Sequence, residues 1–306
     1  MKFSHPIMKF LRRFYRGNPT AIIGTFIVAT MILMSAGASF IAENEPNKRV
    51  ARGHQPPSTE LLLGSTRSGK DVFSQVLHGG QISLLVAFTA AAITTVIAVV
   101  VGISAGYFGG RVDEILMSIT NIVLVFPQLP LLIILAAFLG QVGPLLIASI
   151  IGLSSWAWGA RVIRSQTLAI RNKEYILAAE VMGESKWRII LVEILPNLIS
   201  IVVGGAMGTC IYALMAEAGL EFLGLGDPTI ITWGTMLFWA QSNAAFLVGA
   251  WWDMVVPGAA IALFGGGLAL LNMSIDQVSN PKLKTGPYIK VWRRMKADAE
   301  ARRLQS

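Results

Sequence analysis

The segment from Gly64 to Asp71 is the first part of the chain whose residue types suggest chemistry. It reads GSTRSGKD and approaches the phosphate-binding loop of nucleotide-binding proteins, in which backbone N–H groups and a lysine hold the phosphates. That loop ends with Ser or Thr, whose hydroxyl binds magnesium, whereas Asp71 would turn a carboxylate toward the phosphates. No buried strand is predicted before the segment. The sequence therefore argues against nucleotide binding here.

A second segment, 102–106, has the G-x-S-x-G spacing of the nucleophile turn in serine hydrolases. That chemistry requires a strand-to-helix turn, an acid and a histidine further along the chain. No histidine follows His78, and Ser104 lies late in an apolar stretch that predicts a membrane helix. Helix packing therefore explains Ser104 better, and the sequence argues against intramembrane proteolysis.

Residue counts also argue against metal and disulfide chemistry. The three histidines, His5, His54 and His78, are far apart, and none has a second histidine four residues away. Cys210 is the only cysteine in the sequence, which excludes an intrachain disulfide and a cysteine zinc site. The sequence therefore predicts no metal site.

Any functional residue must be positioned by elements that are predominantly apolar. Hydrophobic residues make up 54% of the 306 residues and charged residues 14%, whereas soluble domains carry about 25% charged residues. A chain of this length cannot bury so much apolar surface in a soluble core, so lipid is the simpler solvent. Six stretches nearly free of charge are long enough to span a bilayer. They lie within residues 21–42, 81–107, 115–139, 144–162, 194–216 and 254–275.

The span count depends on three further segments. Gly140–Pro144 has the composition of a turn and divides one long uncharged run into two spans. Arg12, Arg13 and Arg16 before the first span are also typical of a signal peptide, but the apolar segment exceeds the usual length, so we expect a retained span. The uncharged segment 228–252 is rich in tryptophan, which favours the membrane interface. It predicts an interfacial or partly re-entrant segment.

Lysine and arginine are distributed unevenly between the predicted loops. Segments 1–20, 108–114, 161–197 and 276–306 carry 20 of the 25 basic residues, and segment 43–78 carries the rest. Because basic loops remain cytoplasmic, we predict cytoplasmic termini, and we attribute the net charge of +8 to a membrane face rather than to nucleic-acid binding.

The predicted divisions are a cytoplasmic segment 1–20, a first transmembrane helix 21–42, an extracytoplasmic loop 43–78, a five-helix core 79–275 with a cytoplasmic loop 161–197 and an outer loop 218–252, and a cytoplasmic basic tail 276–306.

Acidic residues are almost absent from the middle of the predicted spans. Glu193, Glu217, Asp253 and Asp276 lie at span ends, where we expect water to reach them. Ion-coupled carriers usually keep ionisable relays at membrane depth. The lack of such residues weakens, without excluding, the interpretation as an ATP-independent secondary transporter.

Glycine pairs and prolines predict how the spans pack and where they break. The pairs in 102–106 and 204–208 place two small residues on one helix face, which predicts close helix packing. Pro127 and Pro130 remove backbone donors within the third span and predict a kink or break. The carbonyl groups freed by such a break are able to line a polar path. Our candidates for a translocation path are Asn121, Gln128 and Met207.

The longest predicted inner loop, 161–197, contains two helical segments. Residues 173–182 favour a helix, Gly183 is able to end it, and Ser185 is able to cap the next one. The second segment leads into Pro196 at the start of a span. A short helix tied to two spans is a lever through which a soluble partner can move membrane helices.

This loop resembles the "EAA" loop of permeases in ATP-binding cassette (ABC) importers. The family pattern is Glu-Ala-Ala, three residues, Gly, nine residues, and then Ile-x-Leu-Pro. The matching positions are Ala178, Ala179, Gly183, Leu195 and Pro196. Leu177 replaces the leading glutamate, and Glu193 stands where isoleucine is expected. The helix–Gly–helix arrangement is unaffected by these departures.

Further segments resemble permeases of the dipeptide, oligopeptide and nickel class (the C-type subunit). Residues 63–74 are similar to its LGTDxxGRDxxSR segment, which accounts for the false phosphate-binding loop. Residues 221–226 together with 233–237 resemble its outer loop, and 251–258 resembles the start of its last span. The C-terminal segment 271–281 departs from the family pattern.

The resemblance implies an all-α integral membrane protein with six transmembrane helices and the type I ABC importer permease fold. It implies a permease subunit without catalytic activity in the cell inner membrane, which forms a path for di- or oligopeptides; oligosaccharides or nickel are the alternative cargoes. The implied partners are a second homologous permease chain, two ATPase subunits, an extracytoplasmic substrate-binding protein and the lipid bilayer. The resemblance also implies that this chain binds no cofactor and that ATP and magnesium lie on the ATPase subunits.

The resemblance also assigns residues to two contacts. The residues implied for the ATPase-coupling loop are Glu174, Tyr175, Ala178, Ala179, Glu180, Gly183, Lys186, Leu195 and Pro196. The residues implied for the outer contact with the substrate-binding protein are Glu221, Gly224, Gly226 and Trp233.

Overall fold

The computed structural model describes residues 14–15, 18–140, 142–279 and 295, and the side chains of all of these except 276–279. Most of the predicted segments 1–20 and 276–306 therefore lies outside the description, as does the side chain of Asp276. No strand occurs within the described ranges, and three isolated bridges connect loop residues.

Helices connected by loops and turns make up most of the described chain between Pro19 and Ser279. The helices are α1 (Pro19–Ala36), α2 (Ala38–Ile41), α3 (Val72–Phe108), α4 (Gly110–Val125), α5 (Gln128–Leu139), α6 (Pro144–Ser154), α7 (Trp156–Arg171), α8 (Glu174–Val181), α9 (Lys186–Arg188), α10 (Leu195–Phe222), α11 (Trp233–Ser242) and α12 (Trp252–Ser279). A π-helical segment, Ile189–Ile194, joins α9 to α10.

Four helices are long and apolar enough to cross a membrane, and two bent pairs add up to two more crossings. The four are α1, α3, the continuous helix Lys186–Phe222 and α12. The pair α4–α5 bends by 80° and the pair α6–α7 by 42°. Counting each pair as one span gives six, in agreement with the predicted all-α fold.

The break between α4 and α5 lies where the prolines predict it. Helix α4 ends at Val125, two residues before Pro127, and Pro130 lies in the first turn of α5, where its missing N–H removes no helical bond. The side-chain amide of Gln128 donates to the carbonyl oxygen of Ser154 at 3.5 Å. Ser154 ends α6, so this bond joins the breaks of the two bent pairs.

The predicted turn and the predicted non-spanning segment are both confirmed. Helix α5 ends at Leu139, Gly140 adopts a φ of 79°, and α6 begins at Pro144. Within 228–252 the structure contains α11, which has 10 residues and is about 15 Å long. That length is half of the roughly 30 Å that a bilayer core requires.

Helix α3 is the central element and packs against α7, α10 and α6. Its Gly102 lies against α7 so closely that a Cβ there would meet the Ala160 carbonyl oxygen at 2.7 Å, and a Cβ on Gly106 would meet the side chain of Thr167 at 2.7 Å. The pair in 102–106 is therefore a packing site, as predicted. The helix begins at Val72, so the last residues of the predicted loop 43–78 are helical.

The helices alternate in direction and produce two ends of the bundle. The α8 end contains the last turn of α3, the start of α4, the end of α7, α8 and the start of α10. The α11 end contains the loop 42–71, the turn before α6, and α11. Trp252 donates from Nε1 to the carbonyl oxygen of Ser65 at 3.2 Å, which fastens the loop 42–71 to α12.

Candidate functional site

The short helix α8 ends at a turn that only glycine adopts readily. The N–H of Glu184 donates to the carbonyl of Ala179, and the N–H of Gly183 donates to the carbonyl of Glu180, each at 3.1 Å. This pair of bonds is the Schellman motif, which requires a left-handed residue at Gly183, and Gly183 has a φ of 79°. Ser185 then accepts a bond from the N–H of Arg188 and caps α9. Both predictions for this turn are confirmed.

One face of α8 is buried against the membrane helices. Ile176 is fully buried and Ala179 nearly so, and they belong to a cluster with Ile189, Ile190 and Ile163. The cluster therefore joins α8 to α7 and to the π-helical start of the Lys186–Phe222 helix. Packed interiors transmit strain, so this contact is one through which a displacement of α8 is able to reach these helices.

Polar and aromatic contacts add to this attachment. The hydroxyl of Tyr107 donates to Oε1 of Glu180 at 3.3 Å, and the guanidinium of Arg171 lies 6.0 Å from the Tyr107 ring centre. Arg164 donates to both carboxylate oxygens of Asp113 at 2.5 Å. The first set connects α8 with α3 and α7, and the second connects α7 with α4.

Besides this buried side, the loop exposes apolar side chains, which we name the α8 apolar face. Its members are Tyr175, Leu177, Val181, Met182 and Trp187. Val181 is 89% exposed, Met182 75% and Trp187 70%. Adjacent exposed apolar residues of this size mark an interaction site.

The structure separates the predicted coupling residues into two groups. Ala179 is buried and Leu195 half-buried, so these residues support the loop from inside. The exposed members are Glu174, Tyr175, Ala178, Glu180, Gly183, Lys186 and Pro196. Sequence reasoning missed Val181, Met182 and Trp187. Their signal was available, since they are large apolar residues on both sides of a predicted helix end.

A cavity of about 540 Å³ lies among α5, α7, α10 and α12, and we name it the membrane cavity. Its lining consists of Gln128, Ser155, Trp158, Val162, Ser200, Ile201, Gly204, Gly205, Gly208, Thr209, Tyr212 and Asn272. The lining combines hydroxyl and amide groups with apolar side chains and contains no charged residue. Such a surface contacts polar solutes without binding one ion strongly.

The structure bears on two predictions about this region. A Cβ built on Gly204 would meet Oδ1 of Asn272 on α12 at 3.0 Å, whereas nothing lies within 4 Å of a Cβ built on Gly208. Gly204 therefore packs against a helix as predicted, and Gly208 makes room for the cavity. Of the predicted path residues, Gln128 lines the membrane cavity. Asn121 instead accepts a bond from Arg161 at 2.6 Å, and Met207 lines a separate apolar cavity beside Phe88.

At the α11 end, two glutamates and three partners form a buried glutamate cluster: Ser83, Glu217, Glu221, Thr232 and Trp233. Ser83 donates to Oε1 of Glu217 at 3.0 Å and accepts from the backbone N–H of Trp233 at 3.1 Å. The hydroxyl of Thr232 donates to Glu221. These bonds join α3, α10 and α11.

The buried glutamate cluster corrects the predicted outer contact. Glu221 and Trp233 have 3% and 1% of their surface exposed, and Gly226 is buried against the Glu221 side chain. These residues shape the outer segment from inside and do not present side chains to a partner. Gly224 is exposed and ends α10 in a left-handed turn with a φ of 79°.

Glu217 and Asp253 are also far more buried than their positions at span ends predict. Glu217 is fully buried and Asp253 is 3% exposed. Although both lie near helix ends, α11 and the loop 42–71 cover those ends. Glu193, in the π-helical segment, is half-buried.

Hydrogen bonds hold the loop 42–71 in an ordered conformation. Asp71 accepts a bond from the N–H of Phe73 at 3.0 Å and caps α3. Its carboxylate thus has a structural role at the position where a phosphate-binding loop has a Ser or Thr hydroxyl. Burial, and secondarily the charge of Arg67, lowers the pKa of His54, so this imidazole is neutral at physiological pH. Among the described side chains, no three of His, Cys, Asp and Glu lie together as metal ligands.

The sequence of this chain is similar to those of known transport proteins. The family described as "Binding-protein-dependent transport system inner membrane component" matches residues 98–285. A putative peptide transport system permease protein of Brucella abortus biovar 1 (strain 9-941) is 33% identical over 283 residues, which cover 91% of this chain and 93% of the relative. A dipeptide transport system permease protein of Bacillus subtilis (strain 168) is 32% identical, with 87% and 83% covered. A probable D,D-dipeptide transport system permease protein of Escherichia coli (strain K12) is 32% identical, with 87% and 89% covered.

Proposed function

This chain belongs to the family of inner-membrane components of binding-protein-dependent transport systems, and from that membership we propose that it forms the membrane path of a peptide importer driven by ATP on partner subunits. The membership confirms the resemblance to ABC importer permeases on which the sequence analysis relied. The chain is accordingly a multi-pass inner-membrane protein and a transport subunit.

The observation that carries the coupling mechanism is the α8 apolar face. Val181, Met182 and Trp187 are exposed on one side, while Ile176 and Ala179 fasten the other side to the spans. In our proposal an ATPase subunit covers this face, and each of the two permease chains docks on one ATPase. Closure of the ATPases displaces α8, and the buried cluster transfers that displacement to α7 and α10.

Our proposed orientation follows from the charge distribution. The basic segment 161–197 contains α8, so the α8 end faces the cytoplasm, together with both termini. The α11 end then faces outward and receives a substrate-binding protein. Gly224 is the one predicted contact residue that is exposed for this purpose.

We assign the translocation path to the membrane cavity, completed by a second homologous permease chain. Its uncharged lining of hydroxyl, amide and apolar groups suits a peptide, which has polar backbone groups and variable side chains. The relatives named as peptide and dipeptide permeases support this cargo over an oligosaccharide or nickel. The alternative function is an ATP-independent carrier, and the following experiment distinguishes it from an ATP-driven importer.

The test is uptake of radiolabelled dialanine in a strain that has no other peptide permease. We expect uptake when this chain is expressed with its permease partner, ATPases and substrate-binding protein, and loss of uptake when the ATPase subunits are omitted. An uncoupler that removes the proton gradient but leaves ATP intact should have little immediate effect. Uptake by this chain alone in proteoliposomes without ATP would contradict the proposal.

A further inference from the structure

A second cavity, of about 440 Å³, lies at the α11 end, and we name it the outer cavity. Pockets that bind small molecules usually measure about 300–1,000 Å³, so the volume suits a small organic ligand. Its lining consists of Asn47, Thr66, Ser68, Lys70, Gln75, Pro228, Thr229, Ile230, Ile231, Thr235, Met236, Trp239, Asn243 and Asp253. None of these residues lines the membrane cavity.

Asp253, in the first turn of α12, is a carboxylate without a partner on the wall of the outer cavity. It is 3% exposed, and its Oδ2 atom is buried and accepts no hydrogen bond from any residue in the described ranges. The ion pairs formed by described side chains involve other residues. A buried carboxylate without a compensating charge or donor is costly. A cationic group in the outer cavity would supply that compensation.

Lys70 supplies the opposite charge to the same cavity. Its ammonium donates to Oδ1 of Asn47 at 3.0 Å, and because an ammonium has three donors, two remain for a ligand. Lys70 is half-buried and is attached to the loop 42–71, whereas Asp253 belongs to α12. The outer cavity therefore presents one positive and one negative group, which belong to two separate elements.

Apolar and amide side chains complete the lining of the outer cavity. Ile230, Ile231, Met236 and Trp239 provide apolar surface, and Asn243 adds an amide. Trp239 donates from its ring nitrogen to the carbonyl of Pro228 at 3.1 Å, which holds the ring in place. An apolar pocket with a few placed polar groups is the usual design of a small-molecule site.

We infer that the outer cavity binds a small zwitterion, with the ligand's ammonium at Asp253 and its carboxylate at Lys70. The inference deepens the proposed function and rests on it for one point, namely that the α11 end faces the outside and meets incoming cargo. A free dipeptide carries one charge of each sign and therefore complements the charges of Asp253 and Lys70. The site would hold a released peptide at the α11 end of the chain.

The test compares three ligands that differ only in their end groups. Dialanine, N-acetyl-dialanine and dialanine amide are titrated by calorimetry into the complete permease–ATPase complex in lipid nanodiscs, without the substrate-binding protein. We expect dialanine to bind and N-acetylation to weaken binding about tenfold or more, since a hydrogen bond to a charged group contributes about that factor. Amidation should weaken binding through loss of the contact with Lys70.

Variants then assign each penalty to its residue. In Asp253→Asn the effect of N-acetylation should nearly disappear, and in Lys70→Gln the effect of amidation should disappear. Glu60→Gln and Lys48→Gln are the matched controls, since both residues are exposed at the same end and neither lines the outer cavity. Both controls should retain the preferences of the unmodified complex.

The ligand series on the unmodified complex decides the inference even if a variant fails to fold. Equal affinity for dialanine and N-acetyl-dialanine, or no heat from dialanine at millimolar concentration, would overturn it. If in that case ATP-dependent dialanine uptake persists in cells, the proposed function stands and only the zwitterion site is rejected. If dialanine shows neither the predicted binding nor ATP-dependent uptake, the assignment of peptides as cargo is itself rejected.

Discussion

Ser83 is the residue at which three helices of the α11 end are joined. Its hydroxyl donates to Glu217 on α10 and accepts from the backbone of Trp233 on α11, while the residue itself belongs to α3. Ser83 is fully buried, so water cannot replace either bond. One small side chain therefore bonds one oxygen of a buried carboxyl group and a helix N-terminal N–H at the same time.

Ser83→Ala is expected to lower the free energy of unfolding by about 1–3 kcal/mol, because it leaves a buried acceptor and a buried donor unsatisfied. The measurement is denaturant titration of the purified chain in detergent. Ser118→Ala is the matched control, since the Ser118 hydroxyl is bonded only to a carbonyl of its own helix and is exposed. Equal stability of the two variants would show that Ser83 does not support the buried glutamate cluster.

Residue-level prediction succeeded where the signal was local. Gly183 and Ser185 are a helix stop and a helix cap whose effect depends on residues within a few positions. The burial of Glu217 and Asp253 was not predictable in this way, because α11 and the loop 42–71, which cover them, are distant in sequence. The same cause made Trp233 resemble a surface contact, although it is buried.

Helix α8 combines a rigid support with an exposed contact surface. It has 8 residues, and helices this short are marginal in isolation. Ile176 and Ala179 stabilise it by packing on Ile189 and Ile190. The π-helical segment Ile189–Ile194 lies between this support and α10, and single π turns inside helices are often found at functional positions.

Ala179→Leu is expected to disturb the support of α8 and to lower the free energy of unfolding by about 1–3 kcal/mol, because extra methylene groups strain a packed interior. Uptake of dialanine should be lost while membrane insertion is retained. Ala178→Leu is the control in the stability measurement, because Ala178 is exposed and adjacent in sequence. If Ala179→Leu has the stability and uptake of the unmodified chain, α8 is not coupled through its buried face.

Prediction at the element scale depended on proline. The break before α5 was predicted from Pro127, but the break between α6 and α7 was not, because no proline lies near it. Ser154 explains this second break, since its hydroxyl donates to the carbonyls of Ile150 and Ile151 at 2.7 and 3.1 Å. Serine bonds of this kind bend helices, yet most serines in apolar helices leave them straight.

The whole molecule separates its proposed tasks between two ends and a middle. The α8 end carries the apolar face, the membrane cavity lies among α5, α7, α10 and α12, and the outer cavity lies at the α11 end. The fold class, the six crossings and the family resemblance were predictable, because hydropathy and the short motifs are written along the chain. The cavities were not, because each collects side chains from segments that are distant in sequence.

The most direct test of the central claim, that ATPase subunits drive this chain through α8, is Val181→Asp in the complete complex. Val181 is 89% exposed, so the substitution leaves the fold intact but places a charge in the proposed interface. Val50→Asp is the control, an exposed valine in the loop 42–71 at the other end. Recovery of ATPase subunits with the tagged chain, and ATPase activity stimulated by substrate and binding protein, are measured together.

We predict that Val181→Asp reduces both the recovery of ATPase subunits and the stimulated activity about tenfold or more, since an unpaired charge is costly to bury in an apolar contact. Val50→Asp should leave both near the level of the unmodified complex. Full recovery of the ATPase subunits with undiminished stimulated activity in Val181→Asp would contradict the account.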